Sequence, residues 1–441
     1  MRTFALAALA LLLAAVPLIA QPNGAPAQPM IFDTYTPGPC SPNGQPHGGC
    51  PPGERHRFRV VPIATGLDRP WHIAFLPDGH TILVTETPGR LRIVRDGALD
   101  PNPVSGWLAD SLHAQTFNSV LVHPQFDRNH FVYLSYQKLD VLDTGATAKA
   151  DAPKRTTLAL ARGYFDGKTL TNVRDIFLAD AWQAGGALAG RAAFGPDGMI
   201  YLAVGDRDIH VTTDDASARI AAQHLDNDAG KVLRLRDDGS IPADNPFVHR
   251  AGAKPEIYTY GHRNVYGFAW DPETGALWSC EIGPMGGDEL NILAPGKNYG
   301  WPLVSFGRIY NGNTASEQSY YRPEMEMPVM FWVPAISPSS LIIYTGDRFP
   351  YWKGSLFIGA LSGQQLQRVA FNQPAPQEER RESLLTQLDV RVRDVRQGPD
   401  GYIYVATETA GDTTSFANPR PDRKPRPDGP HGMVLRLEPV D

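Results

Sequence analysis

Charge is scarce in this sequence. Only 20% of its 441 residues are Asp, Glu, Lys or Arg, and the acids outnumber the bases 47 to 41. A nucleic-acid binder or a polybasic membrane-surface protein carries the opposite imbalance, so both classes are excluded. Cysteine is rarer still, with three residues, Cys40, Cys50 and Cys280. None stands in a CxxCH, which excludes covalently attached c-type haem. No GxGxxG follows a strand-like segment, so a Rossmann nicotinamide or flavin site has no support. Beyond the first twenty residues no apolar run resembles a membrane span.

Glycine (42) and proline (40) are plentiful, and 42% of the chain is hydrophobic. That composition suits a large core cut by many turns rather than long helices, and it falls short of disorder. Residues 1–20 carry one early charge, Arg2, and then the apolar run FALAALALLLAAVPLIA. The pattern reads as a secretory signal, cleaved after Ala20 or as late as Ala27, and places the mature protein in the periplasm or outside the cell. Residues 21–55 form an N-terminal arm. In an oxidising compartment its bracketed stretch CSPNGQPHGGC predicts a Cys40–Cys50 disulfide. Cys280, in LWSCEIG, is expected to pack as a small hydrophobe.

The informative feature is a recurring phrase: an apolar strand, a Pro/Asp/Gly turn, then an alternating strand. It occurs as IAFLPDGHTILVTE, LVHPQFDRNHFVYLSYQ, AFGPDGMIYLAVGDR, AWDPETGALWSCE, RQGPDGYIYVATE and, more weakly, ISPSSLIIYTGDRF. The prolines are Pro77, Pro124, Pro196, Pro272, Pro399 and, in the weak copy, Pro338, spaced roughly 45–75 residues apart. These are hairpins with suitable turn chemistry. Six such units over residues 56–441 predict an all-β fold, a six-bladed β-propeller with four-stranded blades. A β-sandwich leaves the recurrence unexplained. The stretch that begins at Asp215 is expected to hold one short helix or a loop excursion.

A propeller lines its axis with the first strand of every blade, and ligands gather at one mouth. Three segments fit that position. YTYGHRNVYGFAWDP presents Arg263 and Asn264 at the entrance to the fourth repeat, with a planar donor fork suited to a carboxylate, a phosphate or a quinone oxygen. CEIGPMGGDELNILAPGKNYGWP sets Glu281, Asp288 and Glu289 among glycines, where carbonyl and carboxylate oxygens could hold calcium. RVRDVRQGPDG places Arg391 and Arg393 on one face of a strand. Two like charges there require either an anionic ligand or neighbouring acids such as Asp394.

Together these segments resemble the soluble quinoprotein sugar dehydrogenases, the glucose/sorbosone dehydrogenase family, and above all its aldose sugar dehydrogenase branch. The likeness covers about residues 60–437, through GLDRPWHIAFLPDG, GKVLRLRDDGSIPADNPF, YGHRN, GPMGGDELN with GKNYGWP, YTGDRFPYWKGSLFIGAL and RVRDVRQGPDG. The resemblance implies a six-bladed propeller with pyrroloquinoline quinone (PQQ) across the mouth. It implies calcium (Ca2+) on the backbone carbonyls of Gly283 and Pro284, and Arg263 and Asn264 facing the reactive quinone carbonyl. It implies Arg391 and Arg393 gripping the cofactor's carboxylates, with Trp332 packed near its plane. Asp288, Glu289 and Tyr299 match a position associated with calcium. The implied substrate is a small sugar, and electrons would leave to a separate carrier, a soluble cytochrome or a quinone.

The departures bear on mechanism. The family's general-base histidine, in a pattern like HFGSRL, falls on Ala187 of ALAGRA, and no histidine occurs from Asp175 to Asp208. An expected glutamine falls on Ala114, beside Gln115, and a cofactor-binding lysine on Ser362. His72, at the start of the first repeat, is a candidate replacement base, with His113 and His210 behind it. Three functions are therefore compatible with the sequence: oxidation of an aldose or related alcohol by hydride transfer to PQQ, a catalytically degraded propeller that binds a carbohydrate or quinone-like ligand, and a calcium-dependent lactone hydrolase.

Overall fold

The computed structural model describes residues 30–32, 56–106, 114–140, 154–315, 320–372, 377–409 and 431–440. The signal segment, the cleavage sites and the Cys40–Cys50 pair lie outside the described residues, as does His113. Cys280 is a free, buried thiol.

Six antiparallel sheets stand around one axis. Blades 1 to 6 open with innermost strands Pro70–Phe75, Ala114–Val122, Ala189–Phe194, Val265–Trp270, Pro338–Ile343 and Val390–Gln397. Each packs against the innermost strands on either side. Blades 1 to 5 are continuous in sequence. Blade 6 is not: its third strand, Gly432–Pro439, pairs with Phe58–Leu67 from before blade 1, in register from Phe58↔Pro439 to Leu67↔Gly432. Met30–Phe32 adds a fifth strand outside it. This pairing closes the ring by tying the last blade to the chain that leads into the first.

The hydrophobic core is divided into six wedges, one between each pair of neighbouring blades. Each wedge is built from strands buried at successive positions, such as Thr81–Glu86, Ile200–Val204 and Leu356–Ala360, so a blade buries both faces. Phe117, Leu134 and Phe165 fill the wedge between blades 1 and 2, and Phe349, Trp352 and Phe357 that between blades 5 and 6.

Five of the recurrent prolines stand in the turn after an innermost strand. Pro338 does not: it is the first residue of blade 5's innermost strand, paired with Ala360. A strand's first residue can forgo its N–H, so proline fits there. The turn of that blade is longer and holds the 3₁₀ segment Pro350–Trp352. The excursion after Asp215 contains a 3₁₀ turn, Arg219–Gln223, and the strand Lys231–Leu235.

Every innermost strand slips register against its neighbour, by a bulge or irregularity. The residues skipped include Trp71, Ser119, Arg191, Tyr266, Ser339 and Arg393. A bulge leaves its extra residue outside the ladder and re-aims it, here around the axis. Arg191 of blade 3 crosses that axis. Its Nη1 donates to Asp394 Oδ1 of blade 6 (3.1 Å), its Nη2 to the Ser339 carbonyl of blade 5 (2.7 Å) and its Nε to the Tyr266 carbonyl of blade 4 (2.6 Å). The guanidinium lies 4.4 Å over the ring of Trp71 in blade 1. Asp394 also accepts the Ile73 amide (2.9 Å) and Arg396 Nε (3.1 Å). One ion pair and its hydrogen bonds thus plug the axis.

Candidate active site at the axial mouth

All six blades begin with their innermost strand, so those six starts share one mouth. Blade 4 enters it through Gly261, whose φ of +76° and whose contact with Asn298 admit only glycine. His262 follows, fully buried, with Nδ1 3.0 Å from Glu281 Oε1 and its ring stacked on Tyr299. Arg263 is next. Its amide donates to Glu281 Oε2 (2.8 Å), and its Nη1 donates to the carbonyls of Ile282 (2.9 Å) and Gly283 (2.7 Å). The guanidinium sits 5.6 Å from the Trp301 ring centre. Arg263 Nε and Asn264 Oδ1 are buried without a protein partner, an unusual state for such groups.

The glycine loop beside them is closely fitted. A Cβ on Gly283 would fall 2.4 Å from the Gly287 backbone. The Gly283 amide donates to Asp288 Oδ1 (2.9 Å), while Asp288 Oδ2 accepts the amides of Ile336 and Ser337 (2.7 Å each). Burial raises the Asp288 pKa to about 6, against the pull of those three amides. Asp288 therefore clamps the loop to blade 5, and its oxygens are committed to amides rather than turned to a cation. Glu289 is different. It is buried directly across the ladder from Glu281, sharing Asn291 with it, and burial together with that neighbour holds its pKa well above the carboxylate range. The Tyr299 hydroxyl is spent on Ile292 and Ala294 backbone groups, which leaves only its carbonyl to serve a metal. Among the described residues no three His, Cys, Asp or Glu side chains cluster as a metal site.

Blade 6 contributes to the same mouth: Arg393 Nη2 (2.7 Å) and Arg391 Nη1 (3.4 Å) both reach Glu408 Oε1. The acid that answers the two arginines is therefore Glu408, while Asp394 serves Arg191. Arg263, Asn264, Gly283, Pro284 and Asp288 gather at the entrance to blade 4, and Arg391 and Arg393 stand at the start of blade 6.

Two expectations are corrected. Trp332 stands on the outermost strand of blade 4, 3% exposed, with Nε1 donating to Gln367 of blade 5 (2.6 Å). Strand alternation turns it into the wedge between blades, so no ring face is open to a cofactor; the exposed neighbour is Phe331. His72 is 4% exposed, with Nδ1 accepting the Val120 amide (3.2 Å) and Nε2 2.5 Å from Arg396 Nη2. Burial, then Arg396 and Arg191, lower its pKa well below the ordinary value. An imidazole so engaged has no nitrogen left for a substrate proton. His210 lies on a rim loop near Asp215 (3.5 Å). Ser362 bonds Ser337 on the rim (2.8 Å), Ala114 begins blade 2, and the side chain of Gln115 lies outside what the structure describes.

Asp206 was not singled out by sequence reasoning. It follows the second strand of blade 3, its amide donating to the Arg263 carbonyl (2.8 Å) and its Oδ2 accepting Trp301 Nε1 (2.8 Å). Burial raises its pKa to about 6, opposed by Arg263, by the Asp208 amide and by Trp301. The next residue, Arg207, donates its amide to the Ala187 carbonyl (3.2 Å), so Asp206 borders Ala187. A signal was present: the repeated phrases of blades 1, 3, 4 and 6 each carry an acid at or beside the end of their second strand, Glu86, Asp206, Glu281 and Glu408.

The glucose/sorbosone dehydrogenase family model matches residues 67–414, most of the propeller. The chain belongs to that family. An aldose sugar dehydrogenase of Escherichia coli is 37% identical over 357 residues, 80% of this chain and 91% of that one. The crystal structure of the soluble E. coli aldose sugar dehydrogenase in its apo form superposes with a TM-score of 0.71 at 33% identity, covering 87% of this chain and all of that one. A quinoprotein glucose dehydrogenase of Acinetobacter calcoaceticus is 27% identical over 422 residues, 79% of this chain and 85% of its own. Both curated relatives carry the names of sugar dehydrogenases. Among the described residues no helix is long and apolar enough to cross a membrane.

Proposed function

We propose that this protein is an exported, PQQ-dependent dehydrogenase that oxidises the C1 hydroxyl of an aldose, or a related alcohol, and yields a lactone or carbonyl product. The observation that carries the reading is the set of donors at one end of the ring, Arg263 and Asn264 at the entrance to blade 4 and Arg391 and Arg393 at the start of blade 6. Unpartnered buried atoms on Arg263 and Asn264 fit a polar ligand, and three guanidinium groups suit a planar tricarboxylate. PQQ, when bound, would supply the two-electron acceptor for the substrate hydride. Arg391 and Arg393 would hold its carboxylates, and the Gly283 and Pro284 carbonyls a calcium ion. Arg263, held by the Ile282 and Gly283 carbonyls, would stabilise negative charge developing on the acceptor oxygen.

The hydroxyl proton needs an acceptor, because a positioned base contributes about 10²–10⁴-fold. With alanine at 187 we assign that role to the Asp206 carboxylate. It neighbours Arg263, and each of its oxygens accepts one donor, the Asp208 amide (3.1 Å) and Trp301 Nε1 (2.8 Å), which leaves each a lone pair for a proton. Electrons would then pass to a separate carrier.

The test is reconstitution: purified protein with PQQ, calcium, an artificial electron acceptor and a panel of aldoses. Acceptor reduction that requires all components supports the reading. Saturable PQQ binding with no turnover of any sugar would instead favour a ligand-binding propeller, the reading that Ala187 and Ser362 motivate, and would reject the enzyme.

A further inference from the structure

Four blades carry an acid at or beside the end of the second strand, and these acids are unequal in use. In blade 1, Glu86 Oε1 accepts the amide of Asp68 (2.7 Å), two residues before the innermost strand. In blade 4, Glu281 Oε2 accepts the amide of Arg263 (2.8 Å), again two residues before it. These two carboxylates tie the chain's entry into the blade. In blade 6 the corresponding amide, Leu388, donates to the Leu385 carbonyl (3.1 Å), and Glu408 is turned instead to the guanidinium groups of Arg391 and Arg393. Its side chain is 5% exposed, and one oxygen, Oε1, serves both arginines.

We propose that Glu408 is a built-in counter-anion: it holds the two arginines in place for a polyanionic ligand while cancelling one of their charges, and so sets how tightly the mouth binds that ligand. The proposal rests on the reading of the mouth as an anion-binding cup. Two partly buried cations on one strand would repel each other, and a shared carboxylate orders them before any ligand arrives. The same carboxylate stands beside the ligand's own negative groups, and a like charge a few ångströms away weakens binding in proportion. Glu408 is a positioning residue, acting through Arg391 and Arg393. Its charge and its shape have opposite effects on affinity, which makes them separable.

The experiment titrates PQQ into the full-length mature protein with calcium present, followed by tryptophan fluorescence and absorbance rather than turnover, for wild type, Glu408→Gln and Glu408→Asp. Thermal melting verifies that each variant folds. Glu408→Gln keeps the oxygen and removes the charge, so it is expected to bind PQQ about tenfold more tightly at about 20 mM salt, with the gain shrinking as salt rises. Glu408→Asp keeps the charge on a shorter stem and gains nothing. A Glu408→Gln protein that binds PQQ equally well or more weakly overturns the proposal. Citrate, a tricarboxylate with no redox chemistry, separates the two claims. If PQQ binds to none of the three proteins yet citrate binds more tightly to Glu408→Gln, the counter-anion stands and the quinone reading falls. If neither anion responds to the substitution, the counter-anion is wrong.

Discussion

Replacing Arg191 with methionine removes the axial plug while filling much of its volume. The guanidinium makes a 3.1 Å ion pair with Asp394 and bonds of 2.6 and 2.7 Å to the Tyr266 and Ser339 carbonyls. Arg191 is 1% exposed and Asp394 fully buried, so solvent screening does little to soften the loss. Breaking a buried pair by deleting one partner costs about 3–5 kcal/mol. Each carbonyl left without a donor adds about 1–3 kcal/mol where water does not reach it. Asp394 keeps Arg396 and the Ile73 amide, which places the expected total at the lower end of that sum, about 5 kcal/mol. Urea denaturation of the apoprotein, read by circular dichroism and tryptophan fluorescence, measures it. The companion double variant Arg191→Met/Asp394→Leu removes both charges, and is expected to be less destabilised than the sum of its singles by at least about 2 kcal/mol. An Arg191→Met protein within about 1 kcal/mol of wild type, or strictly additive singles, would show that the plug is incidental to the ring.

Three further outcomes follow from the site and its buried acids. If Asp206 accepts the substrate proton, the rate of the reconstituted enzyme rises with pH through about 6, and Asp206→Asn lowers kcat by about 10²–10⁴-fold while PQQ affinity holds; introducing histidine by Ala187→His in that background restores activity. Gly283→Ala forces a methyl into the Gly286–Gly287 backbone, so PQQ affinity is expected to fall at least about tenfold while Tm shifts by only a few degrees, as titration and melting report. The apoprotein's Tm is expected to fall as pH rises from 4 to 7. Burial raises Asp206 to about 6 and Asp228 to about 7 in the folded state, so between the unfolded value of 3.8 and those values the fold binds the more protons. Above pH 7 the lowered pKa of buried Lys231, about 7, reverses the slope. A Tm that climbs between pH 4 and 7 contradicts this assignment.

The propeller was legible because its repeat is written in local chemistry: a Pro/Asp/Gly turn and period-two alternation survive in five blades almost unchanged. Pro338 was in phase by likeness alone, and the structure places it in a strand because a first position tolerates proline. Arg263, Asn264, Arg391 and Arg393 were visible as charges at strand starts, and topology gathers strand starts. What stayed hidden depends on neighbours that sequence order does not reveal. Trp332 and Phe331 exchange roles according to which face of the outermost strand meets blade 5. Asp288 looked like a ligand for a cation until Ile336 and Ser337 delivered their amides to it. Arg191 sat inside ALAGRA, read there for the histidine it lacks, and nothing local says that a register slip aims it across the axis. Glu408 and Asp206 ended phrases that had been compared for their turns rather than for their last residue.

The strand that seals blade 6 precedes blade 1, and its partner, Gly432–Pro439, follows all the other strands of the ring in sequence. A nascent chain emerging into solvent can stack blades in succession, yet it cannot lock the circle until residues 432–439 are free. That eight-residue strand therefore acts as a clasp. A chain halted or clipped short of it would leave Phe58–Leu67 unmatched and two blade flanks uncovered, open to pairing with another molecule in the same unfinished state.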